Sequence, residues 1–284
     1  MNDVTAPIEQ YMALALAPVM VGAKTRADIK QNLDHIAELA FAAKNVTEIE
    51  LPVRLYTIPE GALQGFTDEI FDWDHVDMVK RLAIEVPGEE TRYLSDLARG
   101  LNAFFIAQAK VTHPEFPERF FNCAFVVDPD GEVIHKHYKL QVFAREHSTV
   151  PHDVWDKWVE LYGDGLDAFF PVTDTDIGRI GCLICMEGSF PETARGLAMN
   201  GAELIYRPSY PEPYVGNGLW EVQNRARALD NTVYMVSPNP ASYALSADSR
   251  FPLDMFGGES MIVDYQGRII AKHQSGGVAS YAGA

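Results

Sequence analysis

Apolar runs of strand length alternate with stretches of helical periodicity along almost the whole chain. The runs Met12–Val21, Ile49–Ile58, Ala103–Ala109 and Phe120–Val127 predict strands. Val133–His137, Ile180–Cys185, Glu203–Tyr206, Val233–Val236 and Ser260–Val263 predict further ones. Between them, Arg26–Lys44, Glu89–Leu101, Pro191–Met199 and Trp220–Leu229 space their apolar residues as amphipathic helices do. In the first, Ile29, Leu33, Ile36, Leu39 and Ala40 fall on one face. Strands alternating with helices, with hairpins interspersed, predict a layered α/β protein. No Pro/Gly/Ser-rich linker divides it, so residues 1–284 read as a single domain.

One segment recurs. Residues 125–137 and 261–273 share Val127/Val263, Asp128/Asp264, Gly131/Gly267, Ile134/Ile270, Lys136/Lys272 and His137/His273. Each copy is an apolar strand, an Asp-x-x-Gly turn and a second apolar strand, which is hairpin chemistry. Either the copies share an origin or two similar hairpins converged. Two residues beyond the first copy stands Lys139, and the matching place after the second is Ser275. If the hairpins are alike, hairpin structure does not by itself demand that lysine. The least regular stretch, residues 141–169, holds Glu146, His152, Trp155, Trp158 and Tyr162. It reads either as a lid over a pocket or as a surface loop packed down by its tryptophans.

Composition narrows the function classes. With 47% hydrophobic and 22% charged residues, the chain has the make-up of a soluble globular protein. A net charge of −17 without a Lys/Arg-dense stretch argues against nucleic acid and anionic membrane surfaces as partners. The apolar segment from Gln10 to Ala23 is preceded by Asp3 and Glu9 and by no Lys or Arg, the wrong sign for an export signal. It is also too short to span a bilayer, and the expected compartment is the cytoplasm. Three cysteines, Cys123, Cys182 and Cys185, do not make a disulfide framework.

Candidate chemistry centres on residues 178–195, where an apolar strand ends at Cys185, a turn with Gly188 and Ser189 follows, and Phe190-Pro-Glu opens a helix. A thiol at such a turn is exposed at the strand's carboxyl end, with backbone N–H groups beside it to face an oxyanion. The alternative is a small buried hydrophobe. Cys182-x-x-Cys185 lacks the second ligand pair a zinc site needs, and residues three apart in a strand point to opposite faces. His135-Lys-His137 reads as a half-exposed hairpin edge rather than a metal chelate. A nucleophilic thiol needs a base and an oxyanion partner. Glu60, after Pro59, and Lys139, after the hairpin, each follow an apolar strand as Cys185 does, so a parallel-type sheet would gather all three at one edge. Read singly, Glu60 and Lys139 are equally compatible with solvated surface charges.

Five motifs in one order give a resemblance: Pro59-Glu60 after a strand; Asp128-Pro-Asp-Gly leading to Tyr138-Lys139-Leu140; Gly181-Cys-Leu-Ile-Cys185 with Phe190-Pro-Glu192; Arg225-Ala-Arg-Ala-Leu-Asp-Asn231; and Gly258-Glu-Ser-Met-Ile-Val-Asp264. In these the chain resembles the nitrilase superfamily of carbon–nitrogen hydrolases from about Met12 to His273. Cys185-Met-Glu-Gly-Ser-Phe-Pro-Glu192 and Leu204-Ile-Tyr-Arg-Pro-Ser-Tyr210 are most similar to its aliphatic amidase and formamidase branch. The resemblance implies a four-layer αββα sandwich, commonly a homodimer or higher homo-oligomer, and a triad carried over onto Glu60, Lys139 and Cys185. Glu146 is the nearest candidate for the second glutamate that often assists. The expected reaction is hydrolysis of a small-molecule amide through a cysteine thioester, with the Met186 N–H at the oxyanion and no metal or organic cofactor. Trp155 and Tyr210 are candidates to line an aromatic substrate pocket. Hydrolysis of a small nitrile or an N-carbamoyl compound by the same triad are alternatives, as is a non-catalytic binding protein of this fold.

Overall fold

The computed structural model describes residues 7–49, 51–67, 71, 73–209, 218–250, 258–273, 276, 277 and 279–284. Proline cuts the first apolar run in two. Pro18, which has no N–H to give a ladder, separates β1 (Met12–Ala17) from β2 (Val19–Val21), and the two pieces join different sheets. Pro52 likewise delays the second run, so that β3 is Val53–Thr57 while Ile49 lies exposed.

Between them runs α1 (Arg26–Thr47). The Asp28 carboxylate accepts the N–H of Thr25 at 2.8 Å, the reciprocal arm of a capping box. Ile29, Leu33, Ile36 and Ala40 are buried on its inner face, as the periodicity predicts, whereas Leu39 is only partly buried. The chain continues through α2 (His75–Arg81), α3 (Glu89–Leu101), β4 (Phe104–Thr112), β5 (Phe120–Val127) and β6 (Val133–Tyr138). After α4 (Trp155–Tyr162) and α5 (Leu166–Phe169) come β7 (Val172–Thr175) and β8 (Gly178–Cys182). The order then runs α6 (Pro191–Met199), β9 (Leu204–Tyr206), α7 (Leu219–Asn231), β10 (Tyr234–Ser237) and β11 (Ser242–Ala244). It closes with β12 (Met261–Val263), β13 (Ile269–Lys272) and β14 (Ser280–Gly283).

Two six-stranded sheets result, in the orders β14-β1-β3-β4-β5-β6 and β7-β8-β9-β10-β12-β13. In each, three parallel strands (β1-β3-β4 and β8-β9-β10) are followed by two antiparallel ones and preceded by one. The recurring sequence segment occupies the same place in both. In each hairpin the Asp side chain accepts the N–H four residues on, at 2.8 Å from Glu132 and 2.9 Å from Arg268. Gly131 and Gly267 take φ +80° and +73°, the left-handed conformation such a turn requires. The two hairpins are therefore structurally alike. Ser275, the counterpart of Lys139, lies outside the described residues.

Packing makes the layers. Ala15, Leu55, Ile106 and Val126 of the first sheet meet Ile180, Cys182, Tyr206 and Val236 of the second, forming the inner core. On the outer face of the first sheet, α1 and α3 bury Leu33, Ile36, Leu94 and Leu97. On that of the second, α6 and α7 bury Ala194, Leu197, Trp220 and Ala228. This is a four-layer αββα sandwich.

Residues 141–169 make most of the connection from β6 to β7. They carry a 3-10 turn (Pro151–Val154), α4 and α5, and Trp158 is buried in the core outside the first sheet, donating its indole N–H to the Ala168 carbonyl at 3.1 Å.

Replacing Ile106, fully buried between the sheets, by Ala is expected to lower the unfolding free energy by about 2–5 kcal/mol in urea titration. Val46→Ala, at a position 64% exposed on α1, is expected to stay within about 0.5 kcal/mol.

Candidate active site

Parallel strands deliver their carboxyl ends to one edge, and loops there carry the residues in question. Glu60 follows β3, Lys139 follows β6 and Cys185 follows β8. Three hydrogen-bonded groups come together first. The Lys139 ammonium lies 2.8 Å from Glu60 Oε1 and 2.6 Å from Glu146 Oε2, and all three side chains are buried. Glu146, the candidate second glutamate, is the group that completes the cage.

Residues that the sequence did not single out build the rest. Asn122 on β5 donates from Nδ2 to Glu60 Oε1 and to Glu146 Oε1, each at 2.8 Å. Its own oxygen accepts from Gln108 Nε2 at 2.5 Å, and Gln108 Oε1 accepts the Gly61 N–H at 2.7 Å. The amides thus aim both carboxylates at the lysine. Ser148 Oγ donates to Glu146 at 2.5 Å, and a second buried cation, Lys110, lies 3.2 Å from the same Glu146 oxygen. Two ammonium groups face two carboxylates, so the buried cluster is neutral in formal charge.

That pairing sets protonation. Burial pushes Lys139 toward losing its proton, but Glu146, Glu60 and Cys185 outweigh it and hold its pKa well above the ordinary lysine value. Burial pushes Glu146 up, but Lys110 and Lys139 and the Ser148 hydrogen bond outweigh it, and its pKa lies below the ordinary carboxylate range. With two N–H groups engaged, the Lys139 ammonium keeps a third for another acceptor.

Cys185 is half-buried and opens a 3-10 turn (Cys185–Ser189) at φ +49°, a left-handed conformation strained for a side chain with a Cβ. Several bonds over-determine it. Its N–H donates to the Pro208 carbonyl at 2.8 Å, Ser209 Oγ sits 3.4 Å from its sulfur, and Arg207 reaches its carbonyl at 3.4 Å. The Arg207 guanidinium is buried against Trp220 and fills the space beside Gly188, where any Cβ would collide with it. Met186 follows in the first turn, where helical geometry leaves N–H groups without partners inside the helix. Cys123 and Cys182 are inert by comparison: both are fully buried, and burial pushes the Cys123 thiol up to about 12.

Other expectations fare differently. Trp155 lies on α4, half exposed and stacked on Phe169 and His152 at 5.4 and 5.7 Å. Tyr210 lies outside the described residues. His135 and His137 are buried rather than half-exposed, because β6 faces the second sheet: His135 Nδ1 meets Thr173 Oγ1 at 2.8 Å, while His137 faces Glu187. A cavity of about 650 Å³ opens at the amino ends of β1, β9 and β10, lined by Tyr11, Leu204 and Tyr234, and includes none of these groups. Among the described residues, no group of three or more His, Cys, Asp or Glu side chains could hold a metal ion. No helix among them is long and apolar enough to cross a membrane.

A sulfur, an ammonium and carboxylates at one strand edge suit acyl transfer. A sequence model of the carbon–nitrogen hydrolase family matches residues 16–278. The chain belongs to the carbon–nitrogen hydrolase family. Among its relatives, omega-amidase NIT2-B of Xenopus laevis is 32% identical over 190 residues, 67% of this chain and 64% of that protein. The match thus spans a little less than two thirds of that relative. A formamidase of Bacillus thuringiensis is 28% identical over 274 residues, 95% of this chain and 72% of that protein. In architecture, the chain is similar to Saccharomyces cerevisiae Nit3, a member of branch 10 of the nitrilase superfamily. That likeness has a TM-score of 0.72 at 23% identity and covers 98% of this chain and 91% of that one. It is also similar to an amidase from Nesterenkonia sp. AN1, with a TM-score of 0.69 at 17% identity, covering 97% and 92%.

Glu146→Gln would leave two buried cations short of one counter-charge and is expected to lower the unfolding free energy by about 3–5 kcal/mol near neutral pH. Because the folded pKa of Glu146 is lowered, this stability is complete above the ordinary carboxylate value of about 4.3 and lost as pH falls through the folded value. Urea titrations of both proteins from pH 8 to pH 3 should show the difference shrinking in acid; a difference that grew there would contradict the assignment.

Proposed function

We propose that the chain is an amidase that hydrolyses the carboxamide of a small molecule through a thioester on Cys185. The observation that carries this reading is the Lys139 ammonium, held between Glu60 and Glu146 and raised in pKa in part by Cys185. Glu60 takes the thiol proton as the sulfur attacks the carbonyl carbon. The resulting oxyanion meets the remaining Lys139 N–H and the Met186 N–H. Glu60 returns the proton to the departing nitrogen, which leaves as ammonia. Water then attacks the thioester with Glu60 as base, giving the carboxylic acid and the free thiol. Glu146, held ionised by two lysines, is a poor proton acceptor and instead keeps Lys139 charged and in place. The omega-amidase and formamidase relatives support the amide as substrate. A homo-oligomer belongs to the same reading, since Met199 on α6 and Val222 and Leu229 on α7 leave the outer helical layer apolar and exposed.

Incubation with short aliphatic amides should release ammonia and, in intact-mass spectra, add an acyl mass that peptide mapping places on Cys185. Cys185→Ala should show neither while keeping its fold. Lys139→Ala removes an oxyanion donor and is expected to slow release by roughly 10²–10³-fold, about 3–4 kcal/mol of barrier. Ammonia from the matching nitrile but not from the amide would make the chain a nitrilase, and no adduct with any amide or nitrile would leave a binding protein.

A further inference from the structure

Glu187 lies two residues after Cys185, is fully buried, and belongs to neither carboxylate around Lys139. Its two oxygens bridge the chain segments that carry the sulfur and the ammonium. Oε1 accepts the backbone N–H of Leu140 at 2.8 Å, and Oε2 accepts that of Ile184 at 2.5 Å. Leu140 is the covalent neighbour of Lys139, and Ile184 that of Cys185. His137, two residues before Lys139 and also buried, brings Nε2 to 3.0 and 3.2 Å of the two oxygens. A carboxylate only accepts, so an ionised Glu187 takes this bond from an Nε2–H. The Glu187 N–H donates in turn to the Ile184 carbonyl at 3.0 Å.

An anion this deep is expensive unless its lone pairs are filled by donors, and here the donors are the backbone groups flanking two reacting side chains. We infer that Glu187, held by His137, is a positioning residue that sets the separation between the Lys139 ammonium and the Cys185 sulfur. The inference rests on the amidase reading of those two groups. The same bridge helps hold Cys185 at its strained φ of +49°, which persists only where the surroundings over-determine it. Support of this kind matters because a reacting group displaced by an ångström loses much of its rate.

Glu187→Gln keeps the shape and one acceptor oxygen but turns N–H groups toward a backbone N–H. Cys123 and Cys182 are fully buried, so alkylation by iodoacetamide reports on Cys185, with Cys185→Ala as the blank. Ammonia release per alkylatable site should fall about 10²-fold at unchanged KM. The pH midpoint of alkylation should move up, because the ammonium stands farther from the sulfur. Removing a nearby negative charge would by itself move that midpoint down. An unchanged rate per alkylatable site, or a midpoint that stays or falls, overturns the inference. Should Glu187→Gln not fold, His137→Gln carries the same readouts and criteria. Failure of the amidase reading looks different: the wild-type chain would release no ammonia, or Cys185→Ala would keep releasing it.

Discussion

A buried ammonium between two carboxylates is the constraint from which the rest of the site follows. Lys139 is out of water, and a lone charge there would shed its proton. Glu60 and Glu146 prevent that, and they in turn depend on Asn122, Gln108, Ser148 and Lys110 for their lone pairs and charge balance. A buried cluster of this kind stabilises little by comparison with well-packed apolar residues, yet breaking it is destabilising. On the proposed function, its value lies in fixing a cation where a thiolate and an oxyanion can use it, with little reorganisation at the moment of reaction.

The scaffold explains why such distant residues meet. Two sheets of matching strand order face each other, and each ends its parallel strands at the same edge. The two Asp-x-x-Gly hairpins are nearly superposable in hydrogen bonding, so the fold explains the hairpin after β5 but not the lysine that follows it. The proposed function gives that lysine its reason: a charge beside the thiol. The strained turn at Cys185 is the counterpart on the second sheet: β8 pairs with β9, and Pro208 and Arg207, just beyond β9, hold Cys185 from behind.

Much of the framework was legible in the sequence because it is local. Periodicity placed α1, α3, α6 and α7, and β-branched and aromatic runs placed most strands to within a few residues. Prolines trimmed the rest, since Pro18 and Pro52 interrupt runs whose hydropathy reads straight through. The strands β11 and β14 and the helices α4 and α5 are too short for a period to show. Tertiary burial decides them, as with Trp158. At the site, Glu60, Lys139 and Cys185 each follow an apolar strand, but it is the resemblance to the nitrilase superfamily that joins them into a triad. Asn122, Gln108 and Lys110 could not be singled out, because inside β4 and β5 they look like polar interruptions of a strand until their partners, 14 to 62 residues away, are known. Glu187 gave one local hint, its place in the first turn after Cys185, but its bond to Leu140 spans 47 residues.

The ammonium itself is the most direct point of attack. Lysine Nζ groups can be labelled with nitrogen-15, and the Lys139 resonance assigned by its loss in Lys139→Arg. Followed through a pH titration, that resonance should remain an ammonium signal past the ordinary lysine midpoint of about 10.4, held there by Glu146 and Glu60. A Lys139 that loses its proton below that midpoint would mean that burial outweighs the two carboxylates, and a neutral amine could serve neither the thiolate nor the oxyanion.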